Sequence, residues 1–421
     1  MTVVPTQTDI PAQDTRWRMI QWSLLIGSIL LTIPGVVFRL WSITADPRLE
    51  CAIYGLAVVG AAFLLSWAAE IAQHDIPRAL ALTILALIAV LPEYAVDAYL
   101  AWRAAADPGQ YGPLALANMT GANRLLIGVA WPLVVFLYWQ RARRKTPNNP
   151  ENGAVAIGRD QGVEVVCLAI ATLYSFVIPL KGTLSLVDLF VLVSIFGLYS
   201  ARVSQSPQEE PDLIGPAKML GDLPRGQRRA SVVFLFVLAA FVIYLVAQQF
   251  AESLIHAGTL LGFDKRTLIQ WLAPLASEAP EFIITSIFAW RLMADASLGA
   301  LVSSKINQWT LLVASIPLVY NVASWRLGKS LPTALVLNDV QREDLLLTSA
   351  QSLLAVSMLL GLRLSLRGAA LLFGLFVVQF LIPGMIYWMI GLYLALSVGF
   401  MFRHRKQIGL LIRELRWPQG T

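Results

Sequence analysis

Four carboxylates stand inside apolar stretches of bilayer length: Glu93 and Asp97 in the first half of the chain, Glu278 and Glu281 in the second. A charge at such depth is unfavourable by roughly 3 kcal/mol on insertion scales, so an ionisable residue there marks a functional site. Asp97 lies one helical turn beyond Glu93, and Glu278 three residues before Glu281, which puts each pair on one helix face. Such side chains bind hard cations, and four of them in low dielectric do not all stay ionised, so protons are candidate ligands as well. The pattern also repeats. At an offset of 188 (281 − 93), Leu91-Pro92-Glu93-Tyr94 falls on Ala279-Pro280-Glu281-Phe282, and Ala101-Trp102-Arg103 falls on Ala289-Trp290-Arg291. Each proline withholds a donor from the carbonyl four residues back, Ile88 or Ala276, which predicts a kink and a spare acceptor oxygen beside each glutamate. A single membrane proline is ordinarily a packing kink. Two Pro-Glu pairs in register point to one midplane site built from two copies of a helix.

The apolar stretch after each Pro-Glu helix carries amides and hydroxyls. The first holds Ala117-Asn118-Met119-Thr120-Gly121-Ala122-Asn123 and the second Leu301-Val302-Ser303-Ser304-Lys305-Ile306-Asn307. Asn123 and Asn307 are followed by prolines, Pro132 and Pro317, at similar distances. Membrane hydroxyls and amides serve commonly as glue between helices, the reading that suits Thr310 and Ser315. Beside the Pro-Glu helices, Asn118, Thr120, Asn123 and Asn307 are expected to line the ligand.

The elements that must position these residues are helices in a bilayer. With 57% hydrophobic and 14% charged residues and a mean hydropathy of +0.66, the composition is that of an integral multi-pass membrane protein. Cys51 and Cys167 offer neither a disulfide framework nor a zinc spacing. The net charge of +6 comes from Arg and Lys in short connections, a topology signal and not a nucleic-acid surface. The expected partners are lipids and inorganic cations. Residues 1–18 lack the order of a signal peptide and read as a tail, so the first helix is expected to be retained. Spans are predicted at 19–41, 52–70, 76–103, 111–140, 162–180 and 184–203, and after a polar linker at 204–229 with four prolines, at 230–256, 264–292, 296–320, 342–361, 365–381 and 385–402. The halves are thus 19–203 and 230–403, with a tail at 404–421.

Twelve spans put both termini on one side. Arg16, Arg18, Arg141, Arg143, Arg144, Lys145, the basic residues of the linker, and Arg403, Arg405 and Lys406 all fall there, which makes that side the cytoplasm; the membrane is expected to be the cytoplasmic membrane of a prokaryote. Arg326 and Lys329 are the exception. The same parity sends 76–103 and 264–292 through the bilayer in opposite directions, so the repeats are inverted, the arrangement that exposes a midplane site to each side in turn.

A Pro-Glu helix followed by a helix of the form G-N-x-x-G-S-N, twice over in inverted halves, resembles the repeats of the calcium/cation antiporter superfamily, the sodium/calcium exchangers. The likeness covers 83–138 and 272–320. It implies an all-α core of about five plus five helices, here with one extra helix at each end, exchanging Ca²⁺ or another cation for Na⁺ or H⁺ by alternating access, with Glu93 and Glu281 as the central metal ligands. It implies no cofactor besides the cations carried. Where the family has hydroxyls before its Leu-Pro-Glu, only the second half keeps one, Ser277, and Thr285 follows on the same helix. The family serine is Ala122 or Ile306, and its second glycine in the later repeat is Lys305. As an ammonium deep in its span, Lys305 is expected to pair with Glu278 or Glu281 and replace a monovalent cation, and Arg124 to act similarly in the first half. The lost ligands leave a non-transporting paralogue with the same fold as the alternative. An intramembrane hydrolase is disfavoured, since His74, His256 and His404 all sit at span ends.

Overall fold

The computed structural model describes residues 15–75, 91–146, 153–158, 161–205, 213–262, 264–407 and 409. The outer parts of both tails, the early linker, and the first half of the third span with the Ile88 carbonyl lie outside the described residues.

The first half comprises α1 (Thr15–Leu40), α2 (Pro47–Ala72), α3 (Leu91–Ala106), α4 (Pro108–Leu125), α5 (Trp131–Lys145), α6 (Gly162–Ser175), α7 (Val177–Lys181) and α8 (Leu186–Val203). A short α9 (Gly215–Gly221) leads into the second half: α10 (Arg225–Leu261), α11 (Lys265–Trp290), α12 (Ala294–Asn307), α13 (Val313–Arg326), α14 (Asp339–Leu359), α15 (Leu366–Leu381) and α16 (Ile386–Arg403). A π turn at Leu126–Ala130 joins α4 to α5, and another at Gln308–Leu312 joins α12 to α13. With each such pair, and α6 with α7, taken as one segment, the described residues form twelve long segments, the number expected.

Helix boundaries follow local chemistry. Asp46 and Asp107 cap α2 and α4 ahead of Pro47 and Pro108, which fit the first turn because it needs no donor there. Capping boxes start α8 (Ser185 with Asp188) and α14 (Asn338 with Gln341). Seven described segments are long and apolar enough to cross a membrane. α11, α12–α13 and α14 are not among them, and these carry Glu278, Glu281, Lys305, Asn307 and Asp344, whereas Asn118, Thr120 and Asn123 lie on α4 within one of the seven.

The halves correspond helix for helix and pack reciprocally. α2 lies against α10, and α6 against α14. Each Pro-Glu helix packs on the partner helix of the other half, α3 on α13, and α11 on α4 and α5. The strands obey the same exchange. β1 (Ala154–Ala156) pairs antiparallel with β4 (Arg363–Ser365), and β2 (Thr183–Leu184) with β3 (Leu335–Val336). β1 and β3 are equivalent connections of the two halves, as are β2 and β4, so swapping the halves carries one strand pair onto the other. The two pairs cap opposite ends of the bundle, since β1 and β2 lie at opposite ends of the α6–α7 segment.

Orientation follows from the contacts. α3 ends at the β2–β3 end, where the Ala105 carbonyl accepts from Lys329 Nζ at 2.6 Å. α11 ends at the other, where the Arg141 and Arg144 guanidiniums lie 5.6 Å from the Trp290 ring. Equivalent helices therefore run in opposite directions.

The linker differs from expectation. From Leu213 onward it is ordered: Ile214, Ala217, Met219 and Leu220 are buried, α9 packs on α1 and α2, and Arg225–Arg229 already belong to α10. Asp75, in the turn after α2, accepts from Arg228 at 2.8 and 3.0 Å and from Arg229 at 3.1 Å, tying the linker to the first half. The four prolines hid a short apolar run long enough to dock.

Candidate functional site

α3, α4, α11 and α12 meet at the centre of the bundle. Glu93 on α3 is 1% exposed and Glu278 on α11 is 4% exposed, and their carboxyls approach within hydrogen-bonding reach of each other. Neither Glu93 oxygen has a hydrogen-bond partner with a hydrogen to give. Glu278 Oε1 accepts from the Gln308 amide, which the π turn at the end of α12 carries. Asp97, fully buried one turn beyond Glu93, accepts from Asn118 Nδ2 at 2.8 Å. The two halves thus use one device: a carboxylate on the Pro-Glu helix held by an amide from the partner helix of its own half.

The remaining candidates divide. Asn307 Oδ1 accepts from the Tyr94 hydroxyl at 3.1 Å, joining α12 to α3. Asn123 accepts from Lys305 at its side-chain oxygen (2.5 Å) and its carbonyl (3.2 Å). Glu281, expected beside Glu93, is half-buried and close enough for its charge to act on Glu93 and Glu278, but it is the Glu278 carboxyl that comes within hydrogen-bonding reach of Glu93. Three hydroxyls turn back onto their own helices: Thr120 to the Leu116 carbonyl at 2.8 Å, Thr285 to that of Glu281 at 2.6 Å, and Ser277 to those of Ala273 and Pro274 at 3.2 Å. Hydroxyls inside helices commonly bond this way, which is why residue type alone overstates them as ligands.

The expected pairing of Lys305 is corrected. Its ammonium contacts Asn123 and lies 4.6 Å from the centre of the Trp309 ring, with no carboxylate in salt-bridge range among the described residues. Arg124 likewise leaves the site. It meets Asp344 of α14 at 3.6 Å and stacks 5.1 Å from the Trp271 ring, while Arg266 bonds the other Asp344 oxygen. Gln308 and Tyr94 are the participants that the motif reading passed over, and Asp344 is the partner that draws Arg124 away. Gln308 had a signal, a second amide directly after Asn307 in an apolar span.

Buried oxygens without a donor concentrate here: both of Glu93, Asp97 Oδ2, Asn118 Oδ1, Glu278 Oε2, Glu281 Oε2 and Gln308 Oε1. Buried acceptors are rarely left so, and a hard cation binds through six to eight such oxygens. Among the described residues, no three His, Cys, Asp or Glu side chains are already gathered as a metal centre, and the free amide oxygens of Asn118 and Gln308 stand beside the carboxylates.

Residues 51–204 and 231–397 match the sodium/calcium exchanger protein family. The chain belongs to that family. Among solved structures, the crystal structure of the H⁺/Ca²⁺ exchanger CAX is 40% identical, superposes with a TM-score of 0.87, and is matched over 94% of this chain and 97% of its own. YfkE (TM-score 0.60, 14% identity, 86% and 98% covered) and the sodium-calcium exchanger NCX_Mj (0.50, 15%, 84% and 98%) share the fold. No curated protein matches. As an exchanger-family member the chain is a multi-pass membrane transporter and not an enzyme, and nothing in the fold favours a non-transporting scaffold.

Proposed function

We propose that this exchanger-family protein is a secondary antiporter that moves Ca²⁺ against H⁺ through the Glu93–Glu278 pair. The observation that carries the reading is the pair itself: two buried carboxyls facing each other with no fixed cation between them. Such a pair needs positive charge, supplied either by protons or by a metal ion. A divalent ion and two protons are equivalent in charge, so one can replace the other without leaving bare charge in low dielectric. Asp97, Asn118, Gln308 and Glu281 offer further oxygens around it. The likeness to the H⁺/Ca²⁺ exchanger CAX favours this ion pair over Na⁺-driven exchange.

Inverted halves supply the motion. Two similar units that pack in opposite orientations rock so as to open one central site to each side in turn. The division into halves at 19–203 and 230–403 fits this reading, and the charge distribution favours cytoplasmic termini and linker.

Purified protein in proteoliposomes tests it. An imposed pH gradient is expected to drive ⁴⁵Ca²⁺ uptake that collapses with a protonophore and persists without Na⁺. Uptake indifferent to pH but dependent on a Na⁺ gradient would replace H⁺ as the coupling ion, and no flux of any cation would remove the antiport reading.

A further inference from the structure

Lys305 is a buried amine whose hydrogen-bond partners among the described residues are neutral. It is fully buried on α12, donates to two oxygens of Asn123 and lies over the Trp309 ring. An ammonium in a dry interior ordinarily requires a carboxylate, because uncompensated charge there is strongly unfavourable. The nearest charges acting on it are those of Glu278 and Glu93. Gln308, three residues further along the same helix and so on the same face, already reaches Glu278. The Glu93–Glu278 pair therefore lies about one helical turn from the position of Lys305, within the arc of a flexible four-carbon stem.

The resting place is also built across the halves. Asn123 belongs to α4 and Lys305 to α12, the equivalent helices of the two repeats, while Glu93 and Glu278 belong to α3 and α11. An ammonium that leaves Asn123 for the carboxyls changes which helices it joins. That links the charge state of the pair to the packing of one half on the other.

We propose that Lys305 is a tethered counter-cation: its ammonium rests on Asn123 and Trp309 while ions occupy the Glu93–Glu278 pair, and moves to the carboxyls when they leave. One positive charge then stays with the protein throughout the cycle, and one soluble cation fewer is needed to return the emptied site. This rests on the reading of the pair as the exchange site.

The test is thermodynamic, so a merely structural role of Lys305 leaves it unmoved. Proteoliposomes are held at zero membrane potential with a difference of about one pH unit, and the Ca²⁺ ratio at which net flux stops is measured. Each proton coupled per Ca²⁺ multiplies that ratio about tenfold, since tenfold corresponds to about 1.4 kcal/mol. Lys305→Met must recruit one more proton and is expected to shift the zero-flux ratio about tenfold, whereas Lys305→Arg, where active, keeps the wild-type ratio. An active Lys305→Met with the wild-type ratio overturns the proposal. If Lys305→Met carries no flux, Ca²⁺ binding to the purified protein decides: calorimetry in buffers of different ionisation enthalpy is expected to show about one more proton released per Ca²⁺ bound by Lys305→Met than by wild type, and an unchanged proton count overturns the proposal. Absence of exchange in the wild-type protein instead sinks the antiport reading itself.

Discussion

Glu93 and Glu278 act as a pair, so neutralising either one should be far worse than its size suggests. Glu93→Gln leaves Glu278 facing an amide, and the loss of one partner of a buried charged set is worth about 3 kcal/mol, roughly a hundredfold in cation affinity. Measured Ca²⁺ uptake at saturating pH gradient is expected to fall by at least that factor, against a smaller loss for Thr120→Ala, whose hydroxyl bonds its own helix. Asp344 makes a second case at this scale. Asp344→Asn removes the carboxylate that Arg124 and Arg266 share in salt-bridge range, and is expected to lower the melting temperature in detergent by several degrees. The types of the site residues were legible because carboxylates and amides stand out in apolar spans. Their partners were not. The sequence places Glu281 in register with Glu93, but three residues of helix turn Glu278 to face it instead, and rotation about a helix axis is set by packing that one sequence does not state.

Helices position the pair through close contacts that leave little room. A Cβ added to Gly121 of α4 would lie 1.7 Å from the Gln270 carbonyl oxygen of α11, so the Pro-Glu helix of the second half rests on the backbone of the first. Gly121→Ala must push these helices apart and is expected to be destabilising by roughly 1–3 kcal/mol, read as a lower melting temperature together with reduced uptake. The π turns fall just after Asn123 and Asn307 in both halves, and the second presents Gln308 to Glu278. Such turns recur at functional sites, and neither announces itself in hydropathy. At the linker, hydrogen bonds from Arg228 hold the Asp75 carboxyl down to about 2, with Arg229 reinforcing them against the burial that opposes ionisation. Since the folded value is depressed, the clamp contributes fully above the unfolded value of about 4 and is lost as pH falls towards 2. The melting-temperature difference between wild type and Asp75→Asn should therefore be constant from neutral pH down to about 5 and shrink below about 4. A difference that grew on acidification would contradict this assignment of the clamp.

Across the whole molecule, inversion is the organising fact, and it was readable from parity: charge counts and twelve spans gave opposite directions for the two Pro-Glu helices, as the contacts at each end now require. The reciprocal strand pairs were invisible, because two- and three-residue strands carry no periodicity to detect. They provide the topology test. In a background without Cys51 and Cys167, cysteines replacing Lys145 and Ser330, both exposed and at opposite ends of the bundle, should label from opposite faces of intact cells, Ser330→Cys from outside and Lys145→Cys only after permeabilisation. Labelling of both from one face would break the inversion and with it the alternating-access account. The central claim is narrower, that a cation and protons compete for one carboxyl pair. Long-wavelength anomalous diffraction from Ca²⁺-soaked crystals tests it most directly. The account predicts a Ca²⁺ peak ~2.3–2.6 Å from oxygens of both Glu93 and Glu278 at alkaline pH, vanishing on acidification as protons take its place. A peak elsewhere in the bundle, or one at the pair that survives protonation unchanged, would contradict it.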